Sequence, residues 1–332
     1  MKILGIPAVL TVFFVLMPAA ASAQAASQTR LTVDVKSRTL NGATVVGDEV
    51  TLQLFKRQEQ SDSLQARVGE DGKAVFENVP TGPEMAAVAC AKHQNMAFRS
   101  QPVLLSPTAG GFSADVQVFD VSTDASRLSV GIHHVMVAVR STSLEFTEYM
   151  QLNNPSDMAV IGSQRDDRNR PMVLQIMLPA GFKDLTTSSY LEQEAIVVTS
   201  DGFYDTMAVP PGEHQVAFSY KVDIGRGTVQ IAKGITLPTS ELLVFWEHGQ
   251  GKLEGLGEPN DRLVNAEGVP IEYYRRSGLK PGENVAFQIS GFNVKESDAQ
   301  TWIILAVAFA VIALVAVLRL RPRSKGTGRQ HE

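Results

Sequence analysis

The stretch Asp71-Gly72-Lys73-Ala74-Val75-Phe76-Glu77-Asn78-Val79-Pro80-Thr81-Gly82 decides the fold. Asp-Gly is a tight-turn dipeptide, because the glycine accepts a positive φ without steric cost. Lys73 to Phe76 leaves that turn as a strand and sends Phe76 into a core. Asn78 to Gly82 then reads as a second reversal, with Pro80 and Gly82 as its punctuation. On one side lies Val50-Thr51-Leu52-Gln53-Leu54-Phe55, an alternation of apolar and polar residues that suits a half-buried strand. On the other lies Met85-Ala86-Ala87-Val88-Ala89-Cys90, an apolar strand. Leu31 to Val35 and Ala114 to Val121 alternate in the same way and bound this unit. Short strands at regular spacing, divided by Gly, Pro and Asn turns, predict an all-β antiparallel sandwich. No helical periodicity of useful length occurs between the two apolar terminal segments.

The same pattern continues along the chain. Leu128 to Val139, Phe146 to Leu152, Val173 to Leu178, Ile196 to Thr199, Phe203 to Ala208, His214 to Tyr220, Thr228 to Ile235 and Leu242 to Trp246 read as strands. Pro179-Ala180-Gly181 and the rigid Pro210-Pro211-Gly212-Glu213-His214 are turns, and Gln164 to Pro171 is a charged loop. These place a second sandwich over residues 126–246. Residues 247–293 open on a Gly-rich loop and offer two or three further strands, a small β segment or stalk.

With its preceding strand VTLQLF, the stretch 71–82 resembles the carboxypeptidase regulatory-like, or prealbumin-like, β-sandwich. The resemblance covers residues 29–121. It implies a structural, adhesive or sugar-binding module and no defined reaction. Some surface proteins of that kind carry a Lys–Asn crosslink between first and last strands. Lys36 stands at the first position, but Asp115 and Asp120 occupy the closing strand and no Asn does. The PPGEH turn feeding QVAFSYKV resembles membrane-anchored bacterial exported proteins, in which an Ig-like sandwich follows the regulatory-like one. That resemblance implies a place in the envelope.

Both chain ends agree with export. Lys2 precedes an apolar stretch, Ile3 to Met17, and Ala21-Ser22-Ala23 supplies a small-x-small site, so residues 1–23 read as a cleaved signal peptide. No Cys follows it to take a lipid anchor. Residues 301–318 read as a transmembrane helix. The 319–332 tail carries Arg319, Arg321, Arg323, Lys325 and Arg329, which the positive-inside rule holds in the cytoplasm. The expected protein therefore spans the bacterial inner membrane once, N-terminus outside. Its outer region, with 24 basic against 34 acidic residues, is near −10, which argues against nucleic-acid partners. The absence of any Asn-x-Ser/Thr sequon leans the same way, toward a bacterial envelope.

Candidate sites are few. The lone Cys90 cannot form an internal disulfide and reads as a buried strand residue. Gly249-x-Gly251-Lys252 evokes a phosphate loop but lacks the Gly-x4-Gly-Lys-Ser/Thr spacing. His133 and His134 are adjacent on a strand and face opposite sides, so they cannot easily chelate one ion. His93 has no second Cys-His pair. Asp166, Asp167 and Asn169 have calcium-ligand chemistry, but the interleaved arginines repel a cation. Tyr190, Phe203, Tyr204, Tyr220, Tyr273 and Tyr274 are candidates for a sugar platform or for core and cross-strand packing. Gly-x-Ser-x-Gly, His-Glu-x-x-His and Cys-x-x-Cys are absent. The expectation is a non-enzymatic binding or scaffolding protein, an accessory or assembly factor of a membrane complex, with no catalytic, cofactor or metal residues. Its expected partners are an envelope or membrane protein, or alternatively a glycan, with membrane lipid contacting residues 301–318.

Overall fold

The computed structural model describes residues 28–292, apart from 107–109, 141, 226, 248, 265–267 and 269. The expected leader, membrane helix and tail lie outside the described residues. Among the described residues no helix is long and apolar enough to cross a membrane.

The fold is all-β. The first unit holds β1 (Gln28–Ser37), β2 (Glu49–Lys56), β3 (Glu59–Arg67), β4 (Lys73–Pro80), β5 (Met85–His93), β6 (Met96–Arg99), β7 (Val103–Leu104), β8 (Phe112–Val118) and β9 (Val121–Ser122). One sheet runs β4-β1-β8, with β1 antiparallel to β4 and parallel to β8. The other runs β3-β2-β5-β6, and β7 also pairs with β5. Strand alternation sends every second residue inward. Leu31, Val33 and Val35 of β1 thus share a core with Val50, Leu52 and Leu54 of β2, Phe76 of β4 and Ala87, Ala89 and Ala91 of β5. The alanines on β5 leave room for the leucines opposite.

The second unit holds β10 (Ser129–Arg140), β11 (Ser143–Asn154), β12 (Ala159–Val160), β13 (Leu174–Met177), β14 (Lys183–Ser189), β15 (Ile196–Thr199), β16 (Gly202–Asp205), β17 (Gly212–Asp223), β18 (Thr228–Gly234), β19 (Thr239–Glu247), β20 (Lys252–Glu254), β21 (Asp261–Val264), β22 (Pro270–Leu279) and β23 (Asn284–Ser290). Seven strands form one sheet in the order β14-β17-β11-β10-β19-β22-β21. The facing layer is two separate three-stranded sheets, β13-β16-β15 and β18-β23-β20. Residues 247–293 therefore carry strands of both layers: β21 and β22 extend the large sheet, while β20 and β23 belong to one of the small ones.

The units meet through a short parallel pairing of β9 with β12. Asp157 accepts from the Leu40 N–H at 3.1 Å, and its carbonyl accepts from Thr39 Oγ1 at 2.8 Å. Arg99 and Glu192 add an ion pair across the junction. The buried cluster runs through both units.

Several local expectations are revised. The reversal expected at Asn78–Gly82 begins later, because β4 continues through Pro80. Asn78 takes a positive φ of 59° beside a register shift between Thr29 and Leu31, so it is an irregularity inside the strand. Cys90 is on β5, but it points away from the core and is only half-buried, since Ala89 and Ala91 occupy the inward phase. Of the strands that went unpredicted, β3 and β14 are the longest. Both are edge strands, and neither carries a fully buried side chain to set an apolar period.

Candidate functional site

The ionisable groups of the second unit converge inside it. A register shift between Val130 and His133 in the β10–β11 pairing sets the phase of β10, so that His133 turns inward and His134 outward. On β11 the inward phase is Phe146, Glu148, Met150 and Leu152. On β17 it includes Phe218 and Tyr220, and on β18 it includes Val229, Ile231 and Lys233. Glu148 is thus fully buried, at 0% exposure, between layers. His133 Nε2 lies 2.6 Å from Glu148 Oε2, Tyr220 donates its hydroxyl to Oε1 at 2.7 Å, and Lys233 Nζ donates to Oε1 at 2.8 Å. Lys233 also donates to the Met177 carbonyl at 3.0 Å and sits 5.5 Å from the Phe218 ring centroid.

Desolvation would raise the Glu148 carboxyl, but the Lys233 charge and the bonds from His133 outweigh it and hold it at about 2. Burial pushes the His133 imidazolium the other way, below its ordinary value, so the ring is neutral at pH 7. Burial and the Glu148 charge drive the Tyr220 phenol well up. One carboxylate, one ammonium and two neutral donors therefore satisfy each other. No more than 3% of any of these residues is exposed, so the cluster offers no substrate a path to its atoms. Its physical effect is to tie three sheets together.

The other expected residues are dispersed. His93 is 1% exposed at the junction end of the first unit, with Nδ1 2.7 Å from Asp48 and Nε2 3.1 Å from Asp120. The imidazole stands between the carboxylates, so the three cannot close on one ion. Among the described residues no group of three metal-ligating side chains does so. Asp166 takes the Arg168 and Arg170 N–H groups, Arg170 Nε at 2.8 Å and the Tyr204 hydroxyl at 2.9 Å. Partial desolvation opposes these bonds, but together they hold its carboxyl at about 2. It organises its own loop, and Asn169 serves that loop with a φ of 60°. Gly251 abuts β23: a Cβ there would lie 2.7 Å from the Ser290 carbonyl, and Lys252 begins β20. That is strand entry, with no cradle for phosphate. Lys36 forms an exposed ion pair with Asp115 at 3.6 Å.

Of the six candidate aromatics, Phe203, Tyr204, Tyr220 and Tyr274 are buried, and Tyr190 is largely covered, donating to the Ala208 carbonyl at 3.0 Å. Only Tyr273 joins an outer face. There, on four adjacent strands of the large sheet, Tyr149, His134, Phe245 and Tyr273 form a row with centroid separations of 5.9, 5.3 and 6.1 Å. Burial lowers His134 to about 4, so this face is uncharged along the row at neutral pH.

Sequence reading found His133 and Tyr220 but missed Glu148 and Lys233. The signal was present: each is a charged residue in the apolar phase of an alternating strand. No protein-family model matches the chain, and no curated relative does.

Proposed function

We propose that this chain is a membrane-anchored envelope protein whose β units bind or scaffold another envelope or membrane protein, with no chemistry of its own. The observation that carries this reading is the sealing of the His133–Glu148–Lys233–Tyr220 cluster. The side chains best equipped for acid–base or nucleophilic work are consumed in holding layers together. The regulatory-like turn at 71–82 and the Ig-like second unit are part of the same reading, as are the signal peptide, the span at 301–318 with its lipid contact, the bacterial inner membrane and the cytoplasmic tail. An acidic outer region makes nucleic acid an unsuitable partner. Affinity purification of the full chain from mild detergent, followed by mass spectrometry, should return a stoichiometric envelope partner. A turnover assay showing hydrolysis abolished by one His or Asp substitution would refute the proposal.

The row Tyr149–His134–Phe245–Tyr273, in which Phe245 is buried and the other three rings are half-buried, favours a second reading, a carbohydrate-binding module. It predicts retention on a polysaccharide array that falls when Tyr149 or Tyr273 is replaced by Ala.

A further inference from the structure

The inner face of the seven-stranded sheet carries Glu148 and Tyr220 against the small sheets. Among the described residues no strand lies over its outer face. Strand register fixes what stands there. His134 is level with Tyr149 on β11 and with Leu243 on β19. Met136 is level with Phe245, and Phe245 with Tyr273 on β22. Phe245 is buried and the other five are half-buried. A solvated sheet face ordinarily reads as polar. This one is aromatic and aliphatic across four adjacent strands. Leu243 and Met136 interrupt the rings, which suits a protein surface better than a sugar platform, because interfaces concentrate Tyr, Phe and Met.

The end of the chain sets how this face stands. β23 ends at Ser290, level with Thr228 and Lys252, and the Val139 N–H of β10 donates to Gln250 Oε1 at 2.8 Å. The last strand therefore finishes at the same end of the unit as the β10–β11 turn. The first unit joins at the other end, beyond Asn154 of β11. Eight residues, 293–300, separate Phe292 from the apolar segment 301–318, a reach of at most about 28 Å. The strands of the large sheet thus run outward from the membrane, and its outer face is lateral. Two copies held in one membrane share that direction, so a two-fold axis along the strands sets these faces against each other.

Charge favours the same pairing. A face that meets its own copy brings like side chains together. The centre of this one is uncharged, His134 being neutral at pH 7. Charges at its border are paired within the chain, Glu241 with Arg275 at 3.7 Å and Lys221 with Asp184 at 3.0 Å. The face can therefore meet itself without repulsion.

We infer that a second copy of this chain docks on the outer face of the large sheet, with the two-fold axis between β10 and β19, so that each copy sets its His134 opposite the Leu243 of the other. The choice of a second copy rests on the membrane-anchored reading above.

The test uses the full chain in detergent micelles, with its mass read by sedimentation. The native chain should be a dimer. Leu243→Glu and Leu243→Lys each place like charges beside the axis and should weaken association at least tenfold. An equimolar mixture of the two should recover the dimer, which also shows that both variants fold. In a Cys90→Ser background, Met136→Cys should cross-link to its mate through a short bis-maleimide. Gln230→Cys, on the opposite lateral face, should not. A native monomer, a dimer indifferent to both charges, a mixture that stays monomeric, or cross-linking from Gln230→Cys alone would overturn the assignment. So would a different protein, or a soluble polysaccharide, that binds the native chain and is lost in Leu243→Glu; either result would leave the anchored reading in place. Release of the native chain from membranes by alkaline carbonate would remove that reading, and the second copy with it.

Discussion

The two units solve one problem differently. Both must hold two β layers face to face. The first does so with aliphatic side chains and the rings of Phe76 and Phe98, and its buried histidine, His93, sits at the margin with Asp48 and Asp120. The second places a carboxylate, an ammonium, an imidazole and a phenol at the centre of its core. The difference follows from continuity. The first unit's sheets are unbroken, whereas one layer of the second is two short sheets with a seam between them. Apolar packing is non-directional and cannot fix where two short sheets stand relative to each other. Lys233, bonded to Glu148 across the layers and to Met177 across the seam, fixes both relations. We regard the cluster as a device for specificity, a use of buried ion pairs that need not add net stability.

Removing one partner should therefore produce the largest effect. Lys233→Met keeps volume but leaves Glu148 buried without its cation, and should cost about 3–5 kcal/mol. Trp246 fluorescence in a Trp302→Phe background reports the second unit, since Trp246 is buried there. Adding Glu148→Gln should recover much of the loss. If the double variant is as unstable as the single one, the cluster acts through packing alone. The variant should also respond to acid in a particular way. Lys233 is one of the charges that lower His133. Without it, protonated His133 can serve Glu148, so the deficit should narrow as pH falls. In the native chain the sign is opposite. The folded pKa values of His133 and Glu148 both lie below their unfolded values. Their contribution is thus present at neutral pH and is lost as pH falls through the folded values.

In the first unit the matching experiment is Leu52→Ala. Leu52 is fully buried against small neighbours that cannot fill a void. The loss should be about 2–5 kcal/mol and independent of pH between 5 and 8, measured by amide exchange in β1, β2 and β5. A pH-dependent loss would mean that an ionisable group shares in that core.

These contrasts explain what the chain disclosed. Strands with one buried face were legible from their period: Val50–Phe55, Phe146–Leu152 and His214–Tyr220 all fall where alternation put them. Edge strands such as β3 were not, because a strand whose side chains nearly all face water has no apolar period. The cluster was half legible. Its tyrosine and histidine stood out by type, yet assembling four side chains from four strands requires the pairing order, which no single segment encodes. The parallel pairing of β10 with β19, and the break between β13 and β18, are likewise properties of the assembled sheets.

A second buried carboxyl gives a smaller effect of opposite sign, and the inter-unit contact a smaller one still. Asp205, at the end of β16, has no exposed surface, and its Oδ2 lacks a hydrogen-bond partner. Burial, with a minor contribution from Glu192, raises its carboxyl to about 6 against the bond from the Met207 N–H. Because the folded value lies above the unfolded one, the group is accommodated without penalty in acid and weighs against the fold once pH rises through 6. Asp205→Asn should therefore stabilise the second unit at pH 8 by about 2 kcal/mol and make little difference at pH 4. Equal effects at both pH values would show that hydrogen bonding at Met207, and not the charge, sets the balance. Arg99→Ala removes the ion pair with Glu192 that joins the units. Both side chains are partly exposed, at 42% and 33%, so solvent screens the pair and the loss should be under about 1 kcal/mol, shrinking in high salt. A larger loss, felt equally in both units, would mean that the junction couples their unfolding and that the two cores cannot be broken one at a time.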